Sequence, residues 1–208
     1  DKGKKAKISK IYFLGEKKLR DKKLRDVITS DESKFWKFIS RNVYLNKARI
    51  ELDKRLLKNY YRNKGYYEVN ISSSNVEYLE GEGFVLTYSI EAGNRYRFNK
   101  IFANVSESLD QNAFLSLETE FNKLVGKYYS QKKLKNVLEK IDKLSEQKEL
   151  QFINHRVVET LDDDSVEVKI EIFEGEKFTI ERLNIVGNSV TNDSVIRGEM
   201  IIDEGDPY

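Results

Sequence analysis

A chain of 208 residues with 39% apolar and 35% charged residues has the balance of soluble globular modules with solvated helices, and the length of one or two small domains. It holds no cysteine, which excludes a disulfide framework and a cysteine-ligated zinc site, and no apolar run approaches the length of a membrane span. The net charge of +2 conceals an asymmetry: residues 1–100 carry 24 Lys/Arg against 13 Asp/Glu and residues 101–208 carry 13 against 22, so the first half could meet nucleic acid, anionic lipid or an acidic protein.

Asp1 to Lys10 lack the apolar stretch of a signal peptide and lead into a short strand carrying Ile8, Ile11 and Phe13. Gly15 is expected to turn the chain, and Asp21 to cap a helix running to about Ser30. Phe35-Trp36-Lys37-Phe38, the densest aromatic group, is either a core plug or an exposed anchor. Asn46 caps a second helix carrying Ile50, Leu57 and Tyr60, and Gly65 stops it. A strand with Tyr67, Val69 and Ile71 on one face then turns at Glu80-Gly81-Glu82-Gly83 and returns as Phe84 to Ile90.

The pattern then recurs. Phe98, Ile101 and Ala103 stand 90 residues after Ile8, Ile11 and Phe13, and Ile180, Leu183 and Ile185 stand 82 residues further on. Ser130 caps a helix with Leu134, Val137, Leu138, Ile141 and Leu144 at core spacing. Leu150 to Val158, a turn at Asp162-Asp163-Asp164 and Val166 to Ile172 form the second hairpin. In the third copy, Ile185-Val186-Gly187-Asn188 ends a strand, and Thr191, Asn192 or Asp193 caps a helix. Each unit therefore reads β-α-α-β-β, two helices on one face of a three-stranded sheet, an α+β layer fold. The short joint around Gly93 predicts limited bending between units.

Little points to catalysis. His155 is the only histidine, so a histidine-based metal site or triad is not supported, and neither catalytic nor metal residues nor a cofactor are assigned. The basic stretch Lys17, Lys18, Arg20, Lys22, Lys23 and Arg25 could follow phosphates, making an RNA-binding module one reading, but it lacks the aromatic platform of single-strand binders. The first strand of the first hairpin, Tyr67 to Ser74, lacks the lysine or proline that blunts a sheet edge. It is either an edge open to an added strand or one covered by solvent or the next unit.

The repeat order, the joints at 91–101 (EAGNRYRFNKI) and 174–188 (EGEKFTIERLNIVGN), and 58–72 (KNYYRNKGYYEVNIS) resemble POTRA domains of the BamA family of outer-membrane barrel assembly factors. The resemblance implies tandem POTRA-like repeats with three-stranded mixed sheets: 1–93 as the family's third repeat, 94–177 as its fourth and 178–208 as the truncated start of its fifth. It implies a periplasmic, non-catalytic part of an outer-membrane protein whose parent chain carries a barrel, while this segment does not span the membrane. Its implied partners are unfolded outer-membrane protein precursors and assembly lipoproteins of propeller and helical-repeat type, with no nucleic acid. The family's augmentation edge and propeller contact map onto Tyr67, Val69, Asn70, Ile71 and Ser73, and its helical-repeat contact onto Arg197 and Glu204. Gly198 departs from the family, which often has arginine there. A POTRA scaffold of a secretion or division protein is the alternative within the same fold.

Overall fold

A computed structural model describes residues 6–33, 43–80, 83–148, 150, 152–175, 181–187, 195, 197 and 199–200. The first unit runs β1 (Ile8–Glu16), α1 (Asp21–Arg25), α2 (Lys47–Arg62), β2 (Asn70–Leu79) and β3 (Gly83–Glu91). The second runs β4 (Arg97–Val105), α3 (Leu117–Asn122), α4 (Gln131–Gln147), β5 (Ile153–Asp162) and β6 (Ser165–Glu174), with a short 3-10 turn at Gln111–Phe114 before α3. Both sheets are mixed. β3 lies between a parallel β1 and an antiparallel β2, and β6 lies in the same way between β4 and β5.

The repeated apolar spacing has a structural cause. Ile8, Ile11 and Phe13 are all buried, although strict alternation would put the first two on opposite faces. The β1–β3 register slips between Ile8 and Lys10, so Ser9 is an extra residue, and its hydroxyl donates to the Phe84 carbonyl at 2.9 Å. β4 slips at the equivalent place, between Phe98 and Lys100. A bulge is rare between parallel strands. Here it occurs in both units and turns both early anchors inward.

Helix starts follow the capping residues. The Asn46 side chain accepts from the Arg49 amide at 3.1 Å, and the Ser130 hydroxyl accepts from the Lys133 amide at 3.4 Å. Leu134, Val137 and Ile141 of α4 are buried against Val166, Val168, Ile170 and Ile172 of β6, while Leu138 and Leu144 pack partly buried at the margin. In the first unit Ile50, Leu57 and Tyr61 meet Leu86, Tyr88 and Ile90.

Several expectations change. Gly15 lies inside β1 and does not turn the chain: its φ is +88° and an added Cβ would stand 2.4 Å from the Ile90 carbonyl oxygen, so the site needs glycine for close strand approach. The first helix ends at Arg25, with Asp21 as its first residue and Arg20 at the cap. β2 starts at Asn70, because Tyr67 and Glu68 form a turn after the helix. Phe35 to Phe38 and the expected caps at Thr191, Asn192 and Asp193 lie outside the described residues, and the described stretch 181–187 contains no strand.

The first unit is tied together by Asp53, a fully buried carboxylate on α2. It accepts from the Thr29 amide (2.6 Å), the Thr29 hydroxyl (2.7 Å), the Ser30 amide (3.2 Å) and the Tyr88 hydroxyl (2.9 Å). Burial, and then this carboxylate, push the Tyr88 phenol well above its usual range. Asp53→Ala would leave these donors without an acceptor, and should lower stability by about 2–4 kcal/mol in urea unfolding. A loss under about 0.5 kcal/mol, the range of an ordinary surface change, would show that the network is dispensable.

Candidate partner-binding edge and joint

The two outer strands of each sheet differ in how their free edges are treated. β1 is covered by its own unit: the Ser33 amide donates to the Ile8 carbonyl at 2.7 Å, the Ile11 amide donates to the Glu32 carboxylate at 3.0 Å, and Lys7 bridges to Tyr44. β4 is likewise met by the segment around Gly126 to Tyr129. β2 and β5 pair only inward, with β3 and β6, and among the described residues no other strand pairs with either. Each unit thus has one covered and one open edge, and the open one belongs to the first strand of its hairpin.

The residues singled out from sequence divide on this geometry. Asn70 is exposed at the start of β2 and donates to Glu91 at 3.5 Å. Val69 and Ile71 are buried in the first core, leaving their backbone and not their side chains for any partner. Ser73 pairs with Ser89 just beyond a second register irregularity, between Ile71 and Ser73. The far end of β2 exposes Tyr78 (64%) and Leu79 (42%), an apolar pair the sequence reading did not single out. Arg197 donates to the Leu183 carbonyl at 2.8 Å, and Glu204 lies outside the described residues.

Tyr67 belongs elsewhere. Its turn sends the ring into the second unit, 4.8 Å from the Tyr129 ring and 5.7 Å from the Tyr96 ring, and its hydroxyl donates to Glu159 on β5 at 2.6 Å. Tyr129 donates to the other oxygen of the same carboxylate at 2.8 Å. A single carboxylate therefore receives one phenol from each unit. Around it, the Tyr96 hydroxyl donates to Glu68 at 2.6 Å, the Tyr96 amide to the Gly65 carbonyl at 2.8 Å, and Asn63 accepts from the Lys132 amide at 2.7 Å. Beside this joint lies a groove of about 620 Å³ lined by Arg62, Leu134, Leu138, Val157 and Glu159.

Burial and then the Glu159 bond push the Tyr67 phenol up to about 12, and the Glu68 bond and then burial raise Tyr96 to about 12. Burial chiefly raises Tyr129 as well. The basic stretch at the first helix is partly neutralised: Lys17 pairs with Asp21 at 2.5 Å, Lys18 with Glu16 at 2.6 Å, and Arg25 with Glu32. His155 contacts Asp142 at 3.0 Å. Among the described residues no group of three or more His, Cys, Asp or Glu is placed to hold a metal ion, and no helix is long and apolar enough to cross a membrane.

Two small α+β units in tandem, each with one open strand edge among the described residues and joined by a hydrogen-bonded interface, define a tandem-repeat class of protein. Residues 6–93 match the family model POTRA, described as surface antigen variable number repeat. The whole chain is 24% identical to outer membrane protein assembly factor BamA of Neisseria meningitidis. Over 97% of its length it is 29% identical to BamA of Neorickettsia risticii. It spans about a quarter of the length of both, 26% and 27%. The fold is that of the crystal structure of Haemophilus influenzae BamA POTRA3-5, with a TM-score of 0.68 at 19% identity, covering 99% of this chain and 80% of that one.

Tyr67→Phe removes the phenol that crosses the joint, and should cost about 1–2 kcal/mol and broaden the range of inter-unit orientations seen in residual dipolar couplings. The bond needs a protonated phenol. With the folded value raised from 10 to about 12, its contribution is whole below pH 10 and is lost as pH rises through about 12. Couplings identical to those of the unaltered chain would show that the bond does not fix the orientation.

Proposed function

We propose that this chain is a non-catalytic, periplasmic scaffold segment of an outer-membrane β-barrel assembly factor, and that it receives extended segments of unfolded outer-membrane proteins along the open edge of β2. The observation that carries the reading is the contrast between edges: β1 is covered by Glu32 and Ser33 of its own unit, whereas among the described residues β2 pairs only with β3. The names borne by the relatives supply the kind of client.

In this reading residues 1–93, 94–177 and 178–208 correspond to the third, fourth and opening of the fifth repeat of the family. Asn70, Ile71 and Ser73 act through the main chain, with Val69 anchoring the entry to the strand, and the same edge docks a propeller-type lipoprotein. Tyr67 takes part by fixing the joint from which β2 departs. Arg197, with Glu204, is the contact offered to a helical-repeat lipoprotein. An added strand is held by backbone hydrogen bonds that make little sequence demand. Four such bonds at roughly 0.5–1.5 kcal/mol give about 2–6 kcal/mol before association costs. Binding of this strength is brief and tolerant, as passage of many different precursors requires.

A peptide from an unfolded outer-membrane strand, titrated into the 208-residue chain, should produce saturable NMR shifts in the backbone amides of β2 and its partner β3, and few in β1. Saturable shifts in β1 or the helices with β2 silent would sink the edge-binding reading.

A further inference from the structure

The joint carries a second surface that shares no residue with the β2 edge. Lys64, Arg95, Arg97, Lys127 and Lys133 line one depression of about 370 Å³, together with Asn63, Gly126 and the Tyr128 ring, and no carboxylate lines it. These cations come from three stretches of chain: the turn after α2, the linker and first residue of β4, and the approach to α4 with its first turn. Among the described residues none of the five forms an ion pair, although nine Lys or Arg pairs with Asp or Glu are made elsewhere. Five like charges brought together without a counter-charge repel one another, and an anion seated among them relieves that repulsion.

The two arginines are held in place. Both guanidiniums stand over the Tyr128 ring, at 3.3 Å for Arg95 and 4.0 Å for Arg97. Arg95 donates through Nε to the Lys64 carbonyl at 2.8 Å, and Arg97 donates through one terminal nitrogen to the Gly126 carbonyl at 2.7 Å. Each is thus anchored by one nitrogen, with further N–H groups left over, as a planar fork needs for a carboxylate. All five cations are exposed, so a ligand reaches them without opening the fold.

We propose that this depression docks an acidic segment of a protein partner, with Asp or Glu carboxylates seated on Arg95 and Arg97 and the three lysines around them. Charge complementarity selects the sign of the occupant. The concave shape selects a protruding loop or chain over a flat lipid surface, and the depression lacks the broad apolar face with which an interfacial helix enters a membrane, offering only Tyr128. The proposal does not depend on strand addition at β2.

The test is fluorescence anisotropy of a labelled oligoglutamate peptide with the 208-residue chain at physiological ionic strength, where diffuse attraction is largely screened. Binding should weaken about tenfold in Arg95→Gln/Arg97→Gln, and measurably in Lys127→Gln/Lys133→Gln, which removes no hydrogen bond described above. It should persist in Lys22→Gln/Lys23→Gln, which removes the same charge from α1. Equal weakening in the α1 variant would mean diffuse attraction to net charge and would overturn the site. Failure of the unaltered chain to bind oligoglutamate would also overturn the proposal, whether or not it binds phosphatidylglycerol vesicles; binding to vesicles alone would make the occupant a membrane. A silent β2 edge in the peptide titration would leave all of these outcomes readable.

Discussion

The central position of the last strand in each unit governs the rest of the structure. β3 and β6 each pair in parallel with the unit's first strand and antiparallel with their own hairpin partner, so both flanking strands must manage a free edge. The first strand solves this locally, because the chain leaves it to form the helical layer and passes back alongside; in the first unit that return supplies Glu32 and Ser33. No such segment follows the hairpin's first strand, which turns directly into the centre. The open edges of β2 and β5 are therefore a consequence of the connection order, repeated with each unit.

The joint gives those edges a fixed relation. One carboxylate, Glu159, lies on the open strand of the second unit, and the phenols of Tyr67 and Tyr129 bind it from either side of the boundary. Tyr67 leads into β2, so the residues that set the angle between units also set where the first open edge begins. Of the cation cluster, Arg95 lies on the linker between β3 and β4 and Arg97 opens β4. A partner held there would act on the element that joins the two edges.

Much of the fold was legible because it rests on local chemistry. Asn46 and Ser130 cap helices as their type demands, and the alternation of Val166, Val168, Ile170 and Ile172 marks a strand buried on one face. The spacing of Ile8, Ile11 and Phe13 was visible as a repeat, but its meaning as a bulge was not, because only pairing with β3 shows that Ser9 is the extra residue. Gly15 read as a turn since glycine favours turns; the close approach of Ile90 is a tertiary fact. The edge strand was found, yet Tyr67 was assigned to it because its spacing continues the alternation of Val69 and Ile71. Its partner Glu159 stands 92 residues away. Asp53 was overlooked for a similar reason: a carboxylate on a helix usually faces water, and the donors that hold this one come from two other parts of the chain. The cation cluster is assembled from separate stretches, and charge summed over half the chain gave no hint of where it would converge.

The most direct test of the edge asymmetry is amide hydrogen exchange of the free chain, followed residue by residue. Outward-facing amides of β2 and β5 should exchange quickly, while those of β3 and β6, and the Ile11 amide held by Glu32, should be protected. Uniform protection along β2, equal to that of β3, would mean that the edge is already covered and would contradict the claim that the connection order leaves it open to a partner.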